Sequence, residues 1–368
     1  MAPQLPAAPD TVRVDVRTAS AAYPIVIGAG VSGTIGAALD AAGTPARRFI
    51  VSNPTVWRLH ARLLERITRE EPILIPDGER FKNLNTIGRI YDALIRVGAD
   101  RATTLVAAGG GVVGDVAGFA AATYLRGVTF VQVPTTLLAQ VDSAVGGKVG
   151  VNHPMGKNLI GAFHQPAAVY VDLDFLGTLP RREFRAGLYE VVKYGMIASR
   201  PLFERVRKDL QALFARDQHA LGGIVAESCR IKAAIVGEDE RETGPRRALN
   251  FGHTVGHALE AVTKYRRFRH GEAIAYGMLA AAELAVERGM MSAADRDALL
   301  GVITQMGPLP PVSDLEPADI IEAIARDKKV VAGRLHFVLT TTIGATTTVR
   351  DVTTEELTKA IHAVRPAR

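Results

Sequence analysis

Cysteine is nearly absent from this chain of 368 residues, since Cys229 is its one example. An intrachain disulfide is therefore excluded, and so is any chemistry that needs a cluster of cysteines. A lone thiol is typical of a protein from a reducing compartment, so the sequence predicts a cytoplasmic location. The first ten residues, MAPQLPAAPD, have neither the basic nor the apolar segment of a secretory signal peptide. We therefore expect no export.

Long apolar runs and strongly basic runs are also missing. The most apolar stretch, residues 103–127, contains six glycines together with Asp115 and Arg126, and such a glycine content would break a membrane-spanning helix. The 44 Lys and Arg residues exceed the 38 Asp and Glu residues only slightly, which gives a net charge of +6. No dense basic tract with interleaved aromatic residues is present, as a nucleic-acid-binding surface would need. The mild positive charge suits a small anionic substrate, and we predict neither a nucleic-acid partner nor a membrane partner.

The chain does contain enough apolar sequence for a large buried core. Hydrophobic residues make up 48% of it and charged residues 22%, a composition that excludes a mainly disordered chain. At about 150 residues per domain, the length predicts two domains or slightly more. In the first half, short β-branched runs alternate with helical periodicity, which is typical of an α/β domain with a largely parallel sheet.

The pattern changes near residue 180, after which helices dominate. The apolar periodicity predicts helices over residues 182–198, 201–214, 219–236, 252–262 and 271–288. Few strands are expected there apart from residues 336–340. We therefore predict an α/β domain at residues 1–180 and a mostly helical domain at residues 181–368.

A triple glycine, Gly109–Gly111, follows a predicted buried strand and opens a predicted helix. Glycine lets a ligand approach the backbone, and the N–H groups of a helix amino terminus can hold a pyrophosphate. The crevice at the carboxyl ends of parallel strands is where nucleotides bind in such folds. Thr135 and Thr136, just after the next strand, can offer hydroxyl groups to the same crevice. A tight turn with no ligand is the alternative, because the motif is not the complete dinucleotide-binding fingerprint.

A second candidate segment, residues 140–166, is dense in polar residues separated by Gly-Gly and Gly-Lys pairs. Lysines flanked by glycines on a loop can act as point charges for a phosphate while the backbone closes around it. The polar residues of this segment are Asp142, Ser143, Lys148, Asn152, Lys157 and Asn158. A solvated surface loop is the alternative interpretation.

A third candidate is a set of histidines in the second half. His253 and His257 lie four residues apart, which places both imidazoles on one face of a helix, and His270 follows nearby. Three histidines and an acid suit a divalent metal, and Glu190, with Lys193 almost one turn later, is the best acidic candidate. Spacing alone favours His253 and His257 as ligands, whereas ordinary hydrogen-bonded helix histidines are the alternative. A polar stretch before the histidines carries Lys232, Glu242, Arg246 and Asn250. Surface exposure would equally explain that stretch.

Together, these segments resemble the 3-dehydroquinate synthase family of the shikimate pathway. The similar stretches are GGGVVGDVAGFAAATYLRG, QVPTTLLAQVDSAVGGKVGVNHPMGKNLIGAFHQP, LPRREFRAGLYEVVKYG, GPRRALNFGHTVGHALE and HGEAIAYGM. They lie within roughly residues 70–345, so the resemblance covers most of the chain.

The resemblance implies a Rossmann-like NAD-binding domain, a largely helical second domain and an active site in the cleft between them. It implies a lyase that uses NAD and one Zn²⁺ or Co²⁺ to convert 3-deoxy-D-arabino-heptulosonate 7-phosphate into 3-dehydroquinate and phosphate. In that family, C5 of the substrate is transiently oxidised, phosphate is eliminated, the hydride returns, the ring opens and an intramolecular aldol closes the carbocycle. Arg126 resembles the family arginine that reaches into the neighbouring subunit's site, so a homodimer is implied.

The resemblance also implies roles for individual residues at matching positions. Metal ligands carry over to Glu190, His253 and His270, which moves His257 to an acid–base or hydrogen-bonding role. Substrate-binding or catalytic roles carry over to Asp142, Lys148, Asn158, Lys193, Lys232, Glu242, Arg246, Asn250, His257, Arg126 and Lys328. NAD contacts carry over to Glu79, Lys82, Gly110, Gly111, Val112, Asp115, Thr135, Thr136, Leu138, Asp142, Lys148, Lys157, Phe175, Thr178, Leu179 and Glu183.

Two positions depart from the family pattern. Tyr189 stands where the family has alanine, and Ala144 stands where it has a second serine. We expect both to alter local geometry rather than the class of reaction.

Three other functions compete with this interpretation. A sister cyclase, such as a 2-deoxy-scyllo-inosose or epi-valiolone synthase, would share the fold, NAD and metal, but Arg246 suits the carboxylate of a heptulosonate. A metal-dependent polyol dehydrogenase would release NADH and does not need the Gly-Lys phosphate segment. A basic nucleic-acid-binding protein would show steep salt dependence, and the sequence offers no aromatic platform for it.

Overall fold

The computed structural model describes residues 11–326, 330–331 and 334–365, and the chain divides into two compact units. The first unit is Met1–Pro180 together with Arg216–Arg241, and the second is Arg181–Ala215 together with Glu242–Arg368. The break after Pro180 coincides with the predicted boundary. Residues 216–241 depart from the prediction, because they group with the first unit and not with the helical one.

The strands explain why the first unit is an α/β structure. In chain order they are β1 (Val12–Arg17), β2 (Ala22–Gly28), β3 (Arg47–Ser52), β4 (Ile73–Leu74), β5 (Thr103–Gly109), β6 (Thr129–Pro134), β7 (Lys148–His153), β8 (Gly156–Phe163) and β9 (Ala168–Asp172). Seven of them form one sheet in the order β1-β2-β9-β6-β5-β3-β4. All neighbours in that sheet run parallel except β1 and β2, while β7 and β8 form a separate antiparallel hairpin.

Helices account for most of the remaining described residues. In chain order they are α1 (Ile35–Ala41), α2 (Pro54–Leu64), α3 (Leu84–Arg96), α4 (Gly111–Thr123), α5 (Arg181–Ala198), α6 (Arg200–Phe214), α7 (Gln218–Glu238), α8 (His253–Val262), α9 (His270–Glu287), α10 (Ala293–Gln305), α11 (Pro317–Arg326) and α12 (Thr354–Ala363). None of the helices in the described ranges is both long and apolar enough to cross a membrane.

The strand β5 is buried along its whole length, which gives the sheet a firm centre. Leu105 and Ala107 belong to one apolar cluster, whereas Val106 and Ala108 belong to a second. Alternate residues of a strand point to opposite faces, and a parallel strand covered on both faces has a continuous apolar sequence. The carboxyl end of β5, at Gly109, therefore emerges from a rigidly packed layer.

The helix α7 belongs to the first unit because of its packing, which no local pattern reveals. It packs against β1 and β2 and buries Leu221, Val225 and Cys229, among others. Burial raises the pKa of the Cys229 thiol to about 12. This thiol is therefore a core group and not a nucleophile.

The second unit is mostly helical, as predicted. The five helices expected from periodicity begin and end close to the observed bounds of α5, α6, α7, α8 and α9, although α7 lies in the other unit. The strand expected at residues 336–340 is observed as β12 (Phe337–Thr342), which pairs with β13 (Ala345–Val349). A short pair of strands, β10 (Val330–Val331) and β11 (Arg334–Leu335), precedes it in the chain, and the four strands are numbered in chain order.

Candidate active site

Three histidines and one carboxylate converge within the second unit. His253 opens α8, His257 follows one turn later, and His270 opens α9. One donor atom of each imidazole lies within 4.8 Å of the others. Glu190, on α5, places its Oε1 3.7 Å from His270 Nε2 and 4.0 Å from His253 Nε2. We call these four residues the histidine cluster.

Glycines hold together the three helices that carry the cluster. A Cβ added at Gly277 of α9 would lie 1.8 Å from the carbonyl oxygen of Gly252, the residue before α8. A Cβ added at Gly271 of α9 would lie 1.9 Å from the carbonyl oxygen of Ala186 on α5. Only a residue without a side chain permits such close approach. The backbone contacts therefore fix α5, α8 and α9 relative to one another.

Hydrogen-bond partners orient two of the imidazoles. His253 Nδ1 lies 3.1 Å from the carbonyl oxygen of Phe251, and His270 Nδ1 lies 3.4 Å from Glu260 Oε2. A neutral imidazole that donates from Nδ1 to such an oxygen keeps the lone pair on Nε2. In both residues, Nε2 is the atom that faces Glu190.

The carboxylate of Glu190 indicates what the cluster can bind. It is fully buried, and its Oε1 accepts no hydrogen bond from any described residue. Lys193, also buried, forms an ion pair with the other carboxylate oxygen. A buried carboxylate oxygen without a hydrogen-bond donor is costly unless a cation meets it, and imidazole nitrogen with carboxylate oxygen is a donor set that Zn²⁺ and Co²⁺ accept. The residues present therefore fit a divalent cation.

The structure gathers both predicted ligand sets in one place. Spacing favours His253 and His257, whereas the resemblance favours Glu190, His253 and His270. All four side chains belong to the histidine cluster, so the choice of ligands stays a prediction.

The turn before α8 carries three further candidates of the second unit. Arg246 lies in the short 3₁₀ helix Pro245–Asn250 and is 2% exposed, so the surface interpretation is wrong for it. Asn250 Nδ2 donates to Glu242 Oε1 at 2.5 Å. A guanidinium held away from water is suited to an anionic partner, and its role as a carboxylate clamp stays a prediction.

In the first unit, the triple glycine lies between β5 and α4, as the sequence predicts. A Cβ added at Gly110 would lie 3.1 Å from Thr136 Cγ2, and one added at Gly111 would lie 3.1 Å from Ser143 Oγ. The N–H of Thr135 donates to the carbonyl oxygen of the first glycine at 2.9 Å. Among the described residues, no side chain caps the amino terminus of α4, so its first-turn N–H groups are suited to an anion. We call Gly109–Gly111 with Thr135 and Thr136 the glycine edge.

Other charged candidates of the first unit are paired with one another. Lys82, which is 5% exposed, forms an ion pair with Asp115 and donates to Asn158 Oδ1 at 2.6 Å. Lys232 Nζ lies 2.7 Å from Asp142 Oδ1. Burial raises the pKa of Asp115, and the ammonium group of Lys82 opposes that rise. These lysines are therefore held in fixed positions, where a phosphate can meet them.

Four of the remaining predicted cofactor contacts of the first unit, Glu79, Lys157, Phe175 and Thr178, contact other side chains. Lys157 Nζ lies 3.8 Å from Glu79 Oε1. Thr178 Oγ1 lies 2.8 Å from His60 Nε2, and Phe175 packs its ring against the same imidazole. The other predicted contacts of this unit are Val112, Leu138, Lys148 and Leu179.

Three predicted residues stand apart from these groups. Arg126 is exposed on a turn of the first unit and adopts φ 69°. Glu183, predicted to contact NAD, lies on α5 of the second unit and pairs with Arg269 at 2.6 Å. Lys328 lies outside the described residues.

Comparison with known proteins identifies the family. The model of the amino-terminal domain of 3-dehydroquinate synthase matches residues 72–186, and the model of its carboxyl-terminal domain matches residues 187–330. The chain belongs to the 3-dehydroquinate synthase family. A 3-dehydroquinate synthase from Pelotomaculum thermopropionicum is 49% identical over 90% of this chain and 91% of the relative. One from Synechococcus is 44% identical over 96% of this chain and 99% of the relative.

Solved structures with the same architecture extend the 3-dehydroquinate synthase comparison. A 2-epi-5-epi-valiolone synthase from Streptomyces hygroscopicus, with NAD⁺ and Zn²⁺ bound, is 28% identical with a TM-score of 0.86, covering 93% of this chain and 96% of its own. A 2-deoxy-scyllo-inosose synthase with carbaglucose-6-phosphate, NAD⁺ and Co²⁺ is 26% identical with a TM-score of 0.84, covering 96% and 100%. A glycerol dehydrogenase from Schizosaccharomyces pombe, 14% identical with a TM-score of 0.66, covers 98% and 92% and shares the fold alone. The predicted fold class is confirmed.

Sequence reasoning missed two residues next to predicted sites of this family member. Glu260 lies seven residues after His253, so the helical period places both on one face of α8, and this spacing could have revealed it. His60 meets Thr178, which is 118 residues away in sequence. No local sequence pattern predicts that contact.

Of the two departures from the family pattern, Tyr189 is fully buried and Ala144 is 1% exposed.

Proposed function

We propose that this protein is a 3-dehydroquinate synthase, which converts 3-deoxy-D-arabino-heptulosonate 7-phosphate into 3-dehydroquinate and phosphate with NAD and one Zn²⁺ or Co²⁺. One observation carries the proposal: the buried Oε1 of Glu190 faces the Nε2 atoms of His253 and His270. Family membership supports the choice of substrate, because identity is 49% to a 3-dehydroquinate synthase but 28% to a valiolone synthase.

We assign the cation to Glu190, His253 and His270. Bound there, it supplies a Lewis acid that stabilises negative charge developing on a substrate oxygen. The contacts of the two Nδ1 atoms with Phe251 and Glu260 keep both Nε2 lone pairs turned toward the carboxylate. We assign to His257, one turn from His253, the exchange of a proton or a hydrogen bond with the substrate.

We assign the nucleotide to the glycine edge. NAD bound there supplies a reversible hydride acceptor, so no net oxidation follows. The first-turn N–H groups of α4 hold the pyrophosphate, because a helix amino terminus carries partial positive charge. Lys82, fixed by Asp115 and Asn158, contributes a positive charge in a defined position.

We assign the substrate's anionic groups to the remaining basic side chains. Arg246 clamps the carboxylate with two parallel hydrogen bonds, a geometry that a guanidinium allows and an ammonium does not. Lys148 and Asn158, with Lys328, hold the phosphate while it departs with its negative charge. Hydrogen bonds from Lys193, Lys232 and Asn250 orient the hydroxyl groups, and an oriented chain closes its ring more readily than a free one.

The oligomeric state and the cellular location are part of the same proposal. We propose a cytoplasmic homodimer in which Arg126, exposed on its turn, serves the partner's site. R126A and H270A are each expected to be inactive as pure proteins. A mixed dimer holds one site with both residues intact, so mixing the two variants should restore activity. Continued inactivity of demonstrated mixed dimers would contradict the role of Arg126.

The decisive experiment is identification of the product. Purified protein with the heptulosonate phosphate, NAD and Zn²⁺ should release inorganic phosphate without accumulating NADH, and mass spectrometry should identify 3-dehydroquinate. A chelator should stop the reaction. His270→Ala should lose bound metal and activity but keep its affinity for NAD, whereas the matched change at the exposed His362 of α12 should alter neither.

Each competing function predicts a different result in this assay. A different carbocycle, or turnover of another sugar phosphate only, would indicate a sister cyclase. A stoichiometric rise of NADH absorbance with polyols would indicate a dehydrogenase. Full activity of H270A would refute the metal assignment.

A further inference from the structure

Asn152 lies on β7, in the polar segment between residues 140 and 166, and the mechanism above gives it no role. Its half-buried side chain makes two hydrogen bonds. Nδ2 donates to Glu79 Oε1 at 2.8 Å, and Oδ1 accepts from the backbone N–H of Asn158 at 2.9 Å. An ionised carboxylate only accepts and a backbone N–H only donates, so these two partners determine which way the amide points.

The second of these contacts closes a ring of hydrogen bonds. The backbone N–H of Asn152 donates to the carbonyl oxygen of Lys82 at 2.8 Å. Lys82 Nζ donates to Asn158 Oδ1 at 2.6 Å, and the N–H of Asn158 returns to Asn152. The ring joins the β7–β8 hairpin to the segment before α3, and Lys82 links it onward to Asp115. Asn152 therefore connects Glu79, Lys82 and Asn158, which the family resemblance predicts to contact NAD or substrate.

The backbone of Asn158 adds a reason why this support matters. Asn158 adopts φ 53°, in the left-handed region that costs L-residues energy and that asparagine tolerates better than most. The hydrogen bond from its N–H to Asn152 favours that conformation. Without it, we expect the residue to relax and its amide to move away from Lys82.

Glu79 would also lose its orientation. Its Oε1 already lies 3.8 Å from Lys157 Nζ, so a carboxylate released by Asn152 is free to turn toward that lysine. The existing ion pair between these two predicted nucleotide contacts would then become closer and would compete with a ligand.

We propose that Asn152 is a positioning residue, which holds Glu79, Lys82 and Asn158 in the arrangement that binds the nucleotide and the substrate phosphate. The inference rests on the proposed function for the identity of these ligands. It requires no contact between Asn152 and either of them.

The first test is Asn152→Ala, which removes both side-chain hydrogen bonds. Calorimetry on the full-length protein, purified free of nucleotide, should show about tenfold weaker NAD binding, since losing one or two polar contacts costs about that much. The melting temperature should stay close to that of the wild type, and KM for the sugar phosphate should rise more than kcat falls. Met155→Ala is the matched control, because this residue of the same hairpin is 84% exposed.

The second test separates positioning from general support of the fold. Asn152→Asp keeps an acceptor for the N–H of Asn158 but places a negative charge against Glu79, so it should weaken NAD binding by about tenfold or more. In a Glu79→Gln background, the new amide can donate to the new carboxylate. The same Asn152→Asp change should then cost less than about threefold, because the two sites are coupled.

Three outcomes would overturn the inference. NAD affinity that is unchanged in N152A excludes a positioning role, even if the wild type proves to be an active synthase. An equal cost of N152D in both backgrounds excludes the contact with Glu79. A loss of NAD affinity that accompanies a lowered melting temperature would show that Asn152 only stabilises the fold. If the wild type instead releases no phosphate from the heptulosonate, the proposed function fails, while NAD calorimetry still tests Asn152.

Discussion

In the histidine cluster, one oxygen of the buried Glu190 carboxylate forms an ion pair with Lys193, and the other accepts no hydrogen bond from the described residues. At the glycine edge, by contrast, the nearby charges are already paired, Lys82 with Asp115 and Lys232 with Asp142. The cluster stands on helices locked by backbone contacts, whereas the edge consists largely of backbone and short turns. The cluster therefore offers a carboxylate oxygen that a bound cation would neutralise. The edge offers backbone N–H groups and lysines, and a ligand must compete with the present partners of those lysines.

This difference predicts how substitutions in each region affect stability and ligand binding. Disturbing the cluster means disturbing the helix contacts beneath it, so stability and metal binding should fall together. Disturbing the edge should change ligand affinity with little effect on stability, because its residues lie at the ends of β5 and β6 and in the short turns that follow them.

Gly277→Ala should have the largest effect. The added Cβ would lie 1.8 Å from the carbonyl oxygen of Gly252, so α8 and α9 must separate at a cost of about 3 kcal/mol. Urea denaturation should show this loss, and cobalt titration should show weakened metal binding. Gly301→Ala, in α10 with no atom within 4 Å of the added Cβ, is the matched control and should be neutral or stabilising. If G277A is as stable as the wild type, the helix contacts do not support the metal site as proposed.

Gly111→Ala should separate affinity from stability at the glycine edge. The added Cβ would lie 3.1 Å from Ser143 Oγ, which a small side-chain movement relieves, so the free energy of unfolding should change by less than about 1 kcal/mol. The methyl group would nevertheless obstruct a pyrophosphate at the start of α4, and NAD binding should weaken. Gly88→Ala, in the open middle of α3, should leave NAD affinity unchanged. Equal NAD affinity of G111A and wild type would count against the nucleotide assignment.

Tyr189→Phe tests the buried surroundings of the histidine cluster. The Tyr189 hydroxyl is buried next to Glu190 in sequence and has no hydrogen-bond partner among the described residues, and burial raises its pKa to about 12. Removing an unsatisfied hydroxyl should stabilise the protein by about 1 kcal/mol. Tyr276→Phe is the matched change, because that hydroxyl donates to the carbonyl of Pro310 at 2.9 Å. It should destabilise by a similar amount. Destabilisation by Y189F would contradict the absence of a partner.

The smallest effect concerns acid stability at the far end of α9. Hydrogen bonds from Arg288 lower the pKa of Glu356 from its ordinary 4.5 to about 2. A carboxylate with a lowered pKa stabilises the fold above its unfolded pKa, and that contribution is lost as the pH falls from about 4.5 toward 2. Arg288→Gln should therefore lose less stability than the wild type over this interval. Parallel pH dependence in both proteins would show that the contact contributes nothing.

Several elements of the fold and site follow from local pattern alone. The alternation of apolar runs with helical periods predicts the α/β unit, because a strand buried on both faces must be apolar throughout. The triple glycine after β5 and the pair His253 and His257 are likewise visible in the sequence, since each depends on neighbours within one turn or one loop. The residues also suggest His270 and Glu190 as members of a metal set, and the match to family motifs selects Glu190, His253 and His270 as the ligands.

Other features escape any local analysis. The helix α7 joins the first unit through its packing on β1, about 200 residues earlier in the chain. Asn152, Glu260 and His60 each contact a partner on another element, and only coordinates show these contacts. The surface interpretation of Arg246 fails for the same reason, because burial depends on what packs over a turn and not on its own composition.

By itself, the amino-acid sequence determined the α/β and helical character of the two halves, the family and the types of residue that carry the chemistry. These follow from periodicity and from motifs, which are properties of neighbouring residues. Only the tertiary structure decided that Glu190 meets His253 and His270, that Asn152 ties Glu79 to Asn158, and that α7 crosses to the first unit. Such contacts depend on how distant segments pack, because glycine approaches and buried charges acquire meaning only when separate elements meet.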